Sequence, residues 1–474
     1  MVEINAKRII LRTIPFVLGL QVIAADRGKQ PNILFILADD FGWNQLGCNG
    51  DKHVQTPHLD KLASEGIRFT RAYVMPQSSP TRGAFFTGKY PGRSRMTAVT
   101  HAKPFSNGYM VEPEPLRAIP VEWYNITRML KDAGYITGIS GKWHIGGNYS
   151  VQPMKSEMQG RFFERYGIDW AGDANETTDN YKAVDAITNE ICTFMETNKD
   201  RPFFVWASHF TTHSPLAAPD SLIRKYESLG YKRSTDIWGN TDERPTADFL
   251  AMTEFLDTSV GRLLDKLETL GLRENTLVVF VGDNGALGRY WDHSPLRGAK
   301  GSLYEGGIRS PLIMRLPGEI APREICSVPV HIVDLYPTFM ELSGGSKPEN
   351  YVIDGRSLVP LWTNGEAFGR ETIFFHHPHY EEMYSKTPSS AIIDGDYKLI
   401  HSYGDYYQID GFKEIHKVPY GKLIKGERFE LFNLKEDPQE QNNIVEYHPE
   451  IKKRLNQKLT LWLNEIEALL PQTK

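Results

Sequence analysis

The stretch ILFILADD, residues 33–40, decides the fold of this chain. Its apolar part is typical of a strand buried on both faces of a parallel sheet, and it ends in Asp39 and Asp40. A second stretch, LVVFVGDNG at residues 277–285, has the same layout and ends in an aspartate and an asparagine. Open α/β sheets bind ligands at the carboxyl ends of their strands. The two stretches therefore predict an α/β fold with polar groups at the sheet edge.

The polar residues behind the two strands form an all-oxygen ligand set. They are three carboxylates and one side-chain amide: Asp39, Asp40, Asp283 and Asn284. Hard cations such as calcium or magnesium prefer these ligands, and zinc does not. Either pair alone also fits an ordinary polar cap between a strand and a loop. Both pairs together, with the helix described next, favour a metal site.

Residues 78–89, SSPTRGAFFTGK, are typical of a helix that begins at a nucleophile. Pro80 suits the first turn, where its missing N–H would have no partner. Arg82 follows Ser78 by four residues, so one helical turn brings its guanidinium beside the hydroxyl. Helix N-termini attract anions. An ordinary capped helix is the alternative, because serine is common at the N-cap.

These segments resemble the type I (formylglycine-dependent) sulfatases of the alkaline phosphatase superfamily, of the serine type and similar to bacterial glycan sulfatases. The signature of that family is Cys or Ser, any residue, Pro, usually Ser, and Arg. Further matches follow in the family's order: LADD (37–40), GKWHIG (141–146), GDNG (282–285), LRGAKG (296–301) and YEGGIR (304–309). The resemblance spans residues 31–445, and Thr81 departs from the usual Ser or Ala.

The resemblance implies a nucleophile that is made after translation. Ser78 would be converted to 3-oxoalanine (formylglycine) by a serine-type sulfatase-maturing enzyme, which would be a partner of this chain. An unmodified serine would form a sulfate ester that is itself hard to hydrolyse. A hydrated aldehyde has two hydroxyls, one to attack sulfur and one to expel sulfate by C–O cleavage, so one difficult step becomes two easier ones.

The resemblance also implies the metal and the roles of the other residues. One calcium ion would be held by the four oxygen ligands. The catalytic residues would be Ser78, Arg82, Lys142, His144, His213 and Lys300. Arg82 would orient the hydrated aldehyde, both lysines would bind sulfate oxygens, and His144 would assist the second hydroxyl. His213 and Lys300 would protonate the leaving alcohol oxygen.

Each of these residues also has an ordinary interpretation. Most lysines are solvated surface charges. His209 and His213 follow the same predicted strand, residues 203–206, and only His213 matches a family motif, so His209 is interpreted as structural. His144 lies two residues after Lys142, so in an extended segment both side chains point to the same side.

Substrate recognition is predicted from the loop between the metal pair and Lys300. Arg289, Trp291 and His293 would offer a sugar one stacking face and several donors. A loop that only packs on its neighbours is the alternative. Three close histidines, His376, His377 and His379, suggest a metal, but Pro378 favours an exposed loop at a domain seam. His101 is a weaker candidate for the pocket.

Composition excludes some classes of protein. A chain of 474 residues has room for a large core, and its net charge of −5 shows no nucleic-acid footprint. Three cysteines, Cys48, Cys192 and Cys326, form no disulfide framework, since an odd count leaves at least one free thiol. Their spacing matches no zinc motif.

The N-terminus predicts secretion. Lys7, Arg8 and Arg12 precede the apolar stretch at 14–25, and Ala24 belongs to a plausible cleavage site. We therefore predict a signal peptide at residues 1–25, because the apolar stretch is too short to span a membrane. A bacterial periplasmic location is expected. A frayed hydrophobic N-terminus is the alternative.

The order of elements predicts two domains. Strands alternate with helical segments, notably 121–133, 181–197 and 247–270, which predicts a large central sheet flanked by helices. The resemblance makes that sheet mixed and alkaline phosphatase-like. After residue 370 the stretches alternate as in an antiparallel sheet, and a helix at 451–469 closes the chain. We predict a catalytic domain at 26–369 and a smaller C-terminal α+β subdomain at 370–474.

The predicted function is the hydrolysis of sulfate esters on a sulfated carbohydrate. One alternative is a phosphatase or phosphodiesterase of the same superfamily, but those enzymes use two zinc ions and place Asp-His where this chain has Asp283-Asn284. The other alternative is a glycan-binding protein whose Ser78 is never converted. The sugar, the sulfated position and the oligomeric state do not follow from the sequence.

Overall fold

The computed structural model describes residues 30–102, 110–146, 162–176, 178, 181–234, 244–288, 291–363, 368–369, 372–380, 387–408 and 422–474. The predicted signal peptide, residues 1–25, and the substrate-loop residue Arg289 lie outside these ranges. Within them, no helix has both the length and the apolar character that a membrane span requires.

The described part of the chain contains strands and helices in alternation. The strands are β1 (Asn32–Ala38), β2 (Ile67–Phe69), β3 (Ala72–Tyr73), β4 (Met110–Val111), β5 (Ile136–Gly141), β6 (Trp170–Ala171), β7 (Phe203–Ser208), β8 (Thr276–Gly282), β9 (Leu312–Arg315), β10 (Glu324–Cys326), β11 (Val330–His331), β12 (Thr372–His377), β13 (Ser389–Asp394), β14 (Tyr397–Ser402), β15 (Tyr406–Gln408), β16 (Lys422–Ile424), β17 (Arg428–Asn433) and β18 (Gln472–Thr473). The helices are α1 (Pro57–Ser64), α2 (Ser78–Thr87), α3 (Pro91–Ser94), α4 (Ile126–Asp132), α5 (Val184–Thr197), α6 (Asp220–Ser228), α7 (Ala247–Thr269), α8 (Glu305–Ile308), α9 (Leu335–Ser343), α10 (Pro360–Thr363) and α11 (Pro449–Glu465).

An eight-stranded mixed sheet lies at the centre, with strand order β10-β2-β9-β8-β1-β7-β5-β6. β1 lies between β8 and β7 and is parallel to both. β9 runs antiparallel to its neighbours β8 and β2, which makes the sheet mixed. The strands predicted at 33–38 and 277–281 are therefore confirmed, and the structure places them side by side and parallel.

Both faces of β1 are buried, as its unbroken apolar run predicts. Alternate residues enter different cores: Phe35 packs on one side of the sheet and Ile36 on the other. Phe85 of α2 stacks on Phe35 with ring centroids 4.1 Å apart, while Leu263 of α7 lies in the opposite core. The prediction of helices on both faces of the sheet is confirmed.

Two helices begin later than their sequence spacing predicts. α4 begins at Ile126 because the Asn125 side chain accepts the Arg128 N–H and caps the helix. α5 begins at Val184 because Lys182 and Ala183 have φ values of 62° and 56°, in the left-handed region. A side-chain cap therefore shortens α4, and left-handed backbone geometry shortens α5, at the N-terminal end.

The C-terminal region contains the predicted antiparallel sheet, with strand order β12-β13-β14-β17. Gly395, with a φ of 61°, makes the tight turn between β13 and β14 that Asp-Gly predicts. The closing helix α11 packs on β13 and β14. Lys398 of β14 is fully buried and lies 3.0 Å from Glu305 of α8 and 2.8 Å from Glu440. This ion cluster ties the C-terminal sheet to the segment that follows Lys300.

Candidate active site

The carboxyl ends of β1 and β8 lie side by side because Ala38 pairs with Gly282 in parallel register. The residues that follow, Asp39 and Asp283, therefore leave the sheet at the same point. The Asp283 N–H donates to the Ala38 carbonyl at 3.0 Å, and the Asp40 N–H donates to Asp283 Oδ1 at 3.0 Å. Strand pairing thus joins two segments that are far apart in sequence.

The four predicted metal ligands are all buried, with at most 1% of each residue exposed. One oxygen from each of the three aspartates lies within 4.8 Å of the others. Three oxygens accept no hydrogen bond from any described residue: Asp39 Oδ1, Asp40 Oδ2 and Asn284 Oδ1. Because buried oxygens normally have a partner, these atoms fit the ligand set of a hard cation.

Helix α2 begins at Ser78, as predicted, and presents the hydroxyl to this cluster. Ser78 is 1% exposed, and its Oγ donates to Asp283 Oδ2. Arg82 Nε donates to Ser78 Oγ and to Asp283 Oδ2, each at 3.0 Å. The predicted approach of Arg82 to Ser78 within one turn is confirmed, and the hydroxyl contacts a predicted metal ligand.

Ser208 is a further residue of the site that the sequence reasoning missed. Its Oγ accepts from Arg82 Nη1 at 2.6 Å and donates to the Lys142 carbonyl at 2.5 Å. Ser208 is the last residue of β7, next to β1. The rule that pointed to Asp39, a polar residue where a parallel strand ends, also applies to this serine.

Two buried lysines flank the carboxylates. Lys142 Nζ lies 2.5 Å from Asp39 Oδ2, and Lys300 Nζ lies 2.5 Å from Asp40 Oδ1. Burial alone would lower the pKa of Lys300, but Asp40 and Asp39 together outweigh burial and raise that pKa. Burial raises the pKa values of Asp39 and Asp40, but the nearby cations, led by Lys142 and Lys300 respectively, lower them overall. Lys300 is therefore protonated, and both aspartates are ionised, at neutral pH.

His144 does not follow Lys142 in an extended segment. Its φ is 57°, in the left-handed region, so the extended geometry that would place both side chains on the same side is not present. The ring is nevertheless buried, and neither of its nitrogens has a hydrogen-bond partner among the described residues. Burial, followed by repulsion from Lys142, lowers its pKa well below the ordinary value. His144 is therefore a neutral imidazole with both nitrogens available.

His213 is the most open of the predicted catalytic residues, with 35% of its side chain exposed. Its Nδ1 lies 2.6 Å from the Ser214 carbonyl. Since a carbonyl can only accept, Nδ1 must carry a proton. The other ring nitrogen, Nε2, lies 3.9 Å from Asp40 Oδ2. Burial and then Lys300 lower the pKa of this histidine.

The charges of the site are suited to an anion. Three carboxylates, Asp39, Asp40 and Asp283, face three cations, Arg82, Lys142 and Lys300. The permanent charges therefore cancel before any metal binds. A divalent cation on the orphaned oxygens would leave two excess positive charges in a buried pocket, which attracts a negatively charged substrate group.

The predicted sugar-binding residues that the structure describes are packing residues. Trp291 is 1% exposed; its ring lies 5.4 Å from that of Phe249, and its Nε1 donates to Asn44 Oδ1 at 2.8 Å. His293 is 3% exposed, and its Nε2 lies 2.8 Å from the Ala286 carbonyl. The structure thus corrects the placement of both rings, because neither presents a face to a substrate.

Replacing Trp291 with alanine is therefore expected to destabilise the fold, by about 3–5 kcal/mol, as for other buried tryptophans. Any residual loss of kcat/KM should be equal for a sugar sulfate and an aryl sulfate. Urea unfolding and kinetics on both esters test this. Leu461→Ala is the control, since that residue is 61% exposed. A selective loss on the sugar sulfate would show that Trp291 contacts the sugar after all.

The three close histidines of the C-terminal region are buried rather than exposed, contrary to the expectation of an exposed loop. His376 Nε2 lies 3.0 Å from the Leu469 carbonyl. His377 Nδ1 lies 3.2 Å from the Thr97 carbonyl, and His379 Nε2 lies 2.8 Å from Thr97 Oγ1. Among the described residues, these histidines belong to no group whose atoms could hold a metal ion. His376 contacts the segment after α11, whereas His377 and His379 contact the loop around Thr97.

Two other histidines, His101 and His209, lie in different surroundings. His101 is exposed, and its ring stacks on that of His144 with centroids 5.5 Å apart, so it lies at the mouth of the site. His209 is fully buried, 3.4 Å from Ser259 Oγ, and burial lowers its pKa to about 3. The structural interpretation of His209 agrees with this position.

Comparisons with known proteins point to one family. The family model described as Sulfatase matches residues 31–345, and one described as N-sulphoglucosamine sulphohydrolase, C-terminal, matches residues 299–419. N-acetylgalactosamine-6-sulfatase of Mus musculus is 31% identical over 396 residues, covering 75% of this chain and 71% of the relative. A sulfatase of Formosa agariphila is 27% identical, and the match covers 92% of this chain and 89% of that sulfatase. The crystal structure of Ps i-CgsB in complex with k-i-k-neocarrahexaose has a TM-score of 0.71 at 24% identity, covering 92% of this chain and 93% of that one.

Proposed function

Because this chain belongs to the sulfatase family and is a sulfuric ester hydrolase, we propose that it removes O-sulfate groups from a sulfated carbohydrate. The nucleophile would be a formylglycine made from Ser78 by a serine-type maturing enzyme, and the metal would be one calcium ion. The observation that carries the proposal is the contact of the Ser78 hydroxyl with Asp283, beside three buried oxygens that lack hydrogen-bond partners among the described residues.

The residues present fit both groups. When bound, hydrated formylglycine supplies two hydroxyls, and calcium supplies positive charge that favours the ionised form of the attacking one. The ligands would be Asp39, Asp40, Asp283 and Asn284. Arg82, held by Ser208 and the Lys142 carbonyl, orients the oxygen at position 78. Because this guanidinium is fully buried, its position changes little when a substrate binds.

The two lysines and two histidines bind the sulfate group and transfer protons. Lys142 and Lys300 bind sulfate oxygens and stabilise the charge that these gain in the transition state. Lys300 is protonated and can donate towards the leaving oxygen. His213 has Nε2 free for the same oxygen, and a bound anionic ester favours the protonated ring. His144, neutral and without partners among the described residues, can accept a proton from the second hydroxyl.

A carbohydrate substrate is supported by two of the comparisons: a relative named N-acetylgalactosamine-6-sulfatase and a structural neighbour crystallised with neocarrahexaose. The test is sulfate release by matured protein from 6-sulfated N-acetylgalactosamine, 6-sulfated glucosamine, sulfated galactose, sulfated fucose and 4-nitrophenyl sulfate. We expect at least one sugar sulfate to exceed the aryl sulfate in kcat/KM. Faster hydrolysis of 4-nitrophenyl phosphate than of every sulfate would contradict the proposal.

Replacing His213 with alanine is expected to lower kcat/KM on the best sugar sulfate by about 10²–10³-fold, the range of general acid catalysis. The loss on 4-nitrophenyl sulfate should be below about tenfold, because a good leaving group needs little help from an acid. Kinetics on both esters measure the difference. His209→Ala is the control. It removes a buried histidine from the segment that follows the same strand, and any loss of kcat/KM should be equal for the two esters. Equal losses of kcat/KM on both esters for His213→Ala would show that His213 does not protonate the leaving oxygen.

A further inference from the structure

A buried lysine that no motif marks lies behind His213. The side chain of Lys182 is 3% exposed and forms an ion pair with Glu176. Its Nζ also donates to the Ser214 carbonyl at 3.0 Å. Lysines are seldom buried, and a buried one normally has specific partners. The partners here belong to two separate segments, one of which carries a predicted catalytic residue.

The backbone at Lys182 is strained. Lys182 and Ala183 both adopt left-handed φ values, 62° and 56°, which cost free energy for residues that have a Cβ. Such residues persist where surrounding contacts hold them, and they cluster at functional sites. These two left-handed residues delay the start of α5 to Val184 and place the lysine side chain beside the loop after β7.

The Ser214 carbonyl accepts two hydrogen bonds. His213 Nδ1 approaches it at 2.6 Å and Lys182 Nζ at 3.0 Å. A carbonyl oxygen has two lone pairs, so both donors can be satisfied at once. The lysine therefore anchors the acceptor that keeps the proton on Nδ1 and leaves Nε2, 3.9 Å from Asp40 Oδ2, for the substrate.

Lys182 also lies in the electric field of the catalytic cluster. Burial lowers the pKa of Lys182. Glu176 and Asp39 raise it, Lys142 lowers it, and the overall shift is downward. Together with the contact to the Ser214 carbonyl, this places Lys182 beside the site.

We propose that Lys182 is a positioning residue: through the Ser214 carbonyl it holds the His213 ring with Nε2 directed at the leaving-group oxygen. The inference rests on the proposed function, because it assumes that His213 acts at that oxygen. Lys182 itself contacts no reacting atom.

The test is a double-mutant cycle with matured protein. Lys182→Met is expected to lower kcat/KM on the best sugar sulfate by about 10–100-fold, the usual range for residues that orient a functional group, and on 4-nitrophenyl sulfate by less than about threefold. In a His213→Ala background the same change should cause no further loss. Lys182→Arg, which keeps the charge and the donors, should recover part of the activity.

The control is Lys225→Met. It breaks another lysine–glutamate ion pair, with Glu254 at 2.7 Å, and should leave kcat/KM on both esters unchanged. Equal losses on both esters, or full additivity with His213→Ala, would overturn the proposal. If Lys182→Met does not fold, Lys182→Gln takes its place in the cycle with the same expectations.

If the wild-type protein hydrolyses neither ester, the proposed function fails and the positioning role is tested by structure alone. Crystal structures of the wild type and Lys182→Gln then decide it. A His213 ring that turns away from Asp40 in the variant supports the role, and an unmoved ring overturns it.

Discussion

Replacing Ser78 with alanine is expected to abolish sulfate ester hydrolysis, with kcat reduced at least about 10⁴-fold, as when other enzymes lose their nucleophile. Ser78 Oγ is the hydroxyl that contacts both Asp283 and Arg82. The neighbouring Ser79 has a different partner, since its Oγ accepts the Thr100 N–H at 3.3 Å. Sugar sulfate binding should change little, since the charged groups around the anion remain. Kinetics on a sugar sulfate and on 4-nitrophenyl sulfate, with calorimetric binding, measure both effects.

Ser79→Ala is the matched control and should retain turnover. Protein made without a serine-type maturing enzyme should carry plain Ser78 and be inactive. Protein made with it should give an active-site peptide lighter by two hydrogen atoms, as the aldehyde. Rapid turnover by the unmodified Ser78 form would refute the proposed nucleophile.

Replacing Asp283 with alanine is the second large effect that we expect. This carboxylate is a predicted metal ligand, accepts the Ser78 hydroxyl and neutralises Arg82 at 3.0 Å. Its loss should lower kcat by about 10³-fold, which corresponds to about 4 kcal/mol. It also leaves Arg82 buried without its carboxylate partner, a change that costs about 3–5 kcal/mol of stability when buried ion pairs are broken. Calorimetry should show weaker calcium binding, and thermal unfolding should show a lower Tm.

Calcium removal tests the same site without a mutation. A chelator should inactivate the wild type, and added calcium should restore activity and raise Tm, since a ligand that binds only the folded state stabilises it. Asp257→Asn is the control: this buried aspartate accepts the His58 and Leu59 N–H groups at the start of α1 and should leave calcium binding intact. Two bound zinc ions, or unchanged calcium binding in Asp283→Ala, would contradict a calcium site at these ligands.

The fold and much of the candidate site followed from local patterns. The apolar run of β1 and that of β8 predicted buried parallel strands, because a strand covered on both faces is a nearly continuous run of apolar residues. The helix at Ser78 and the approach of Arg82 depend on one turn of backbone, so spacing was sufficient. The antiparallel C-terminal sheet followed from period-two alternation and from the turn at Gly395.

Other features depended on side chains that meet only after folding. Nothing in the order of residues distinguishes Trp291 from an exposed stacking residue; its burial follows from the position of Phe249 and Asn44 around it. His144 matched a family motif, yet its left-handed backbone was not predicted, because a φ value reflects tertiary contacts as well as residue type.

The sequence by itself determined the class of fold, and it predicted oxygen ligands at the ends of β1 and β8 and a nucleophile at Ser78. These depend on residue type and short-range periodicity, which a chain carries before it folds. The tertiary structure alone decided which oxygens stay without partners in the described part, which rings are buried, and that Lys182 and His213 share the Ser214 carbonyl. Such features depend on distances between remote segments, and those distances are set when the strands pair and the helices pack.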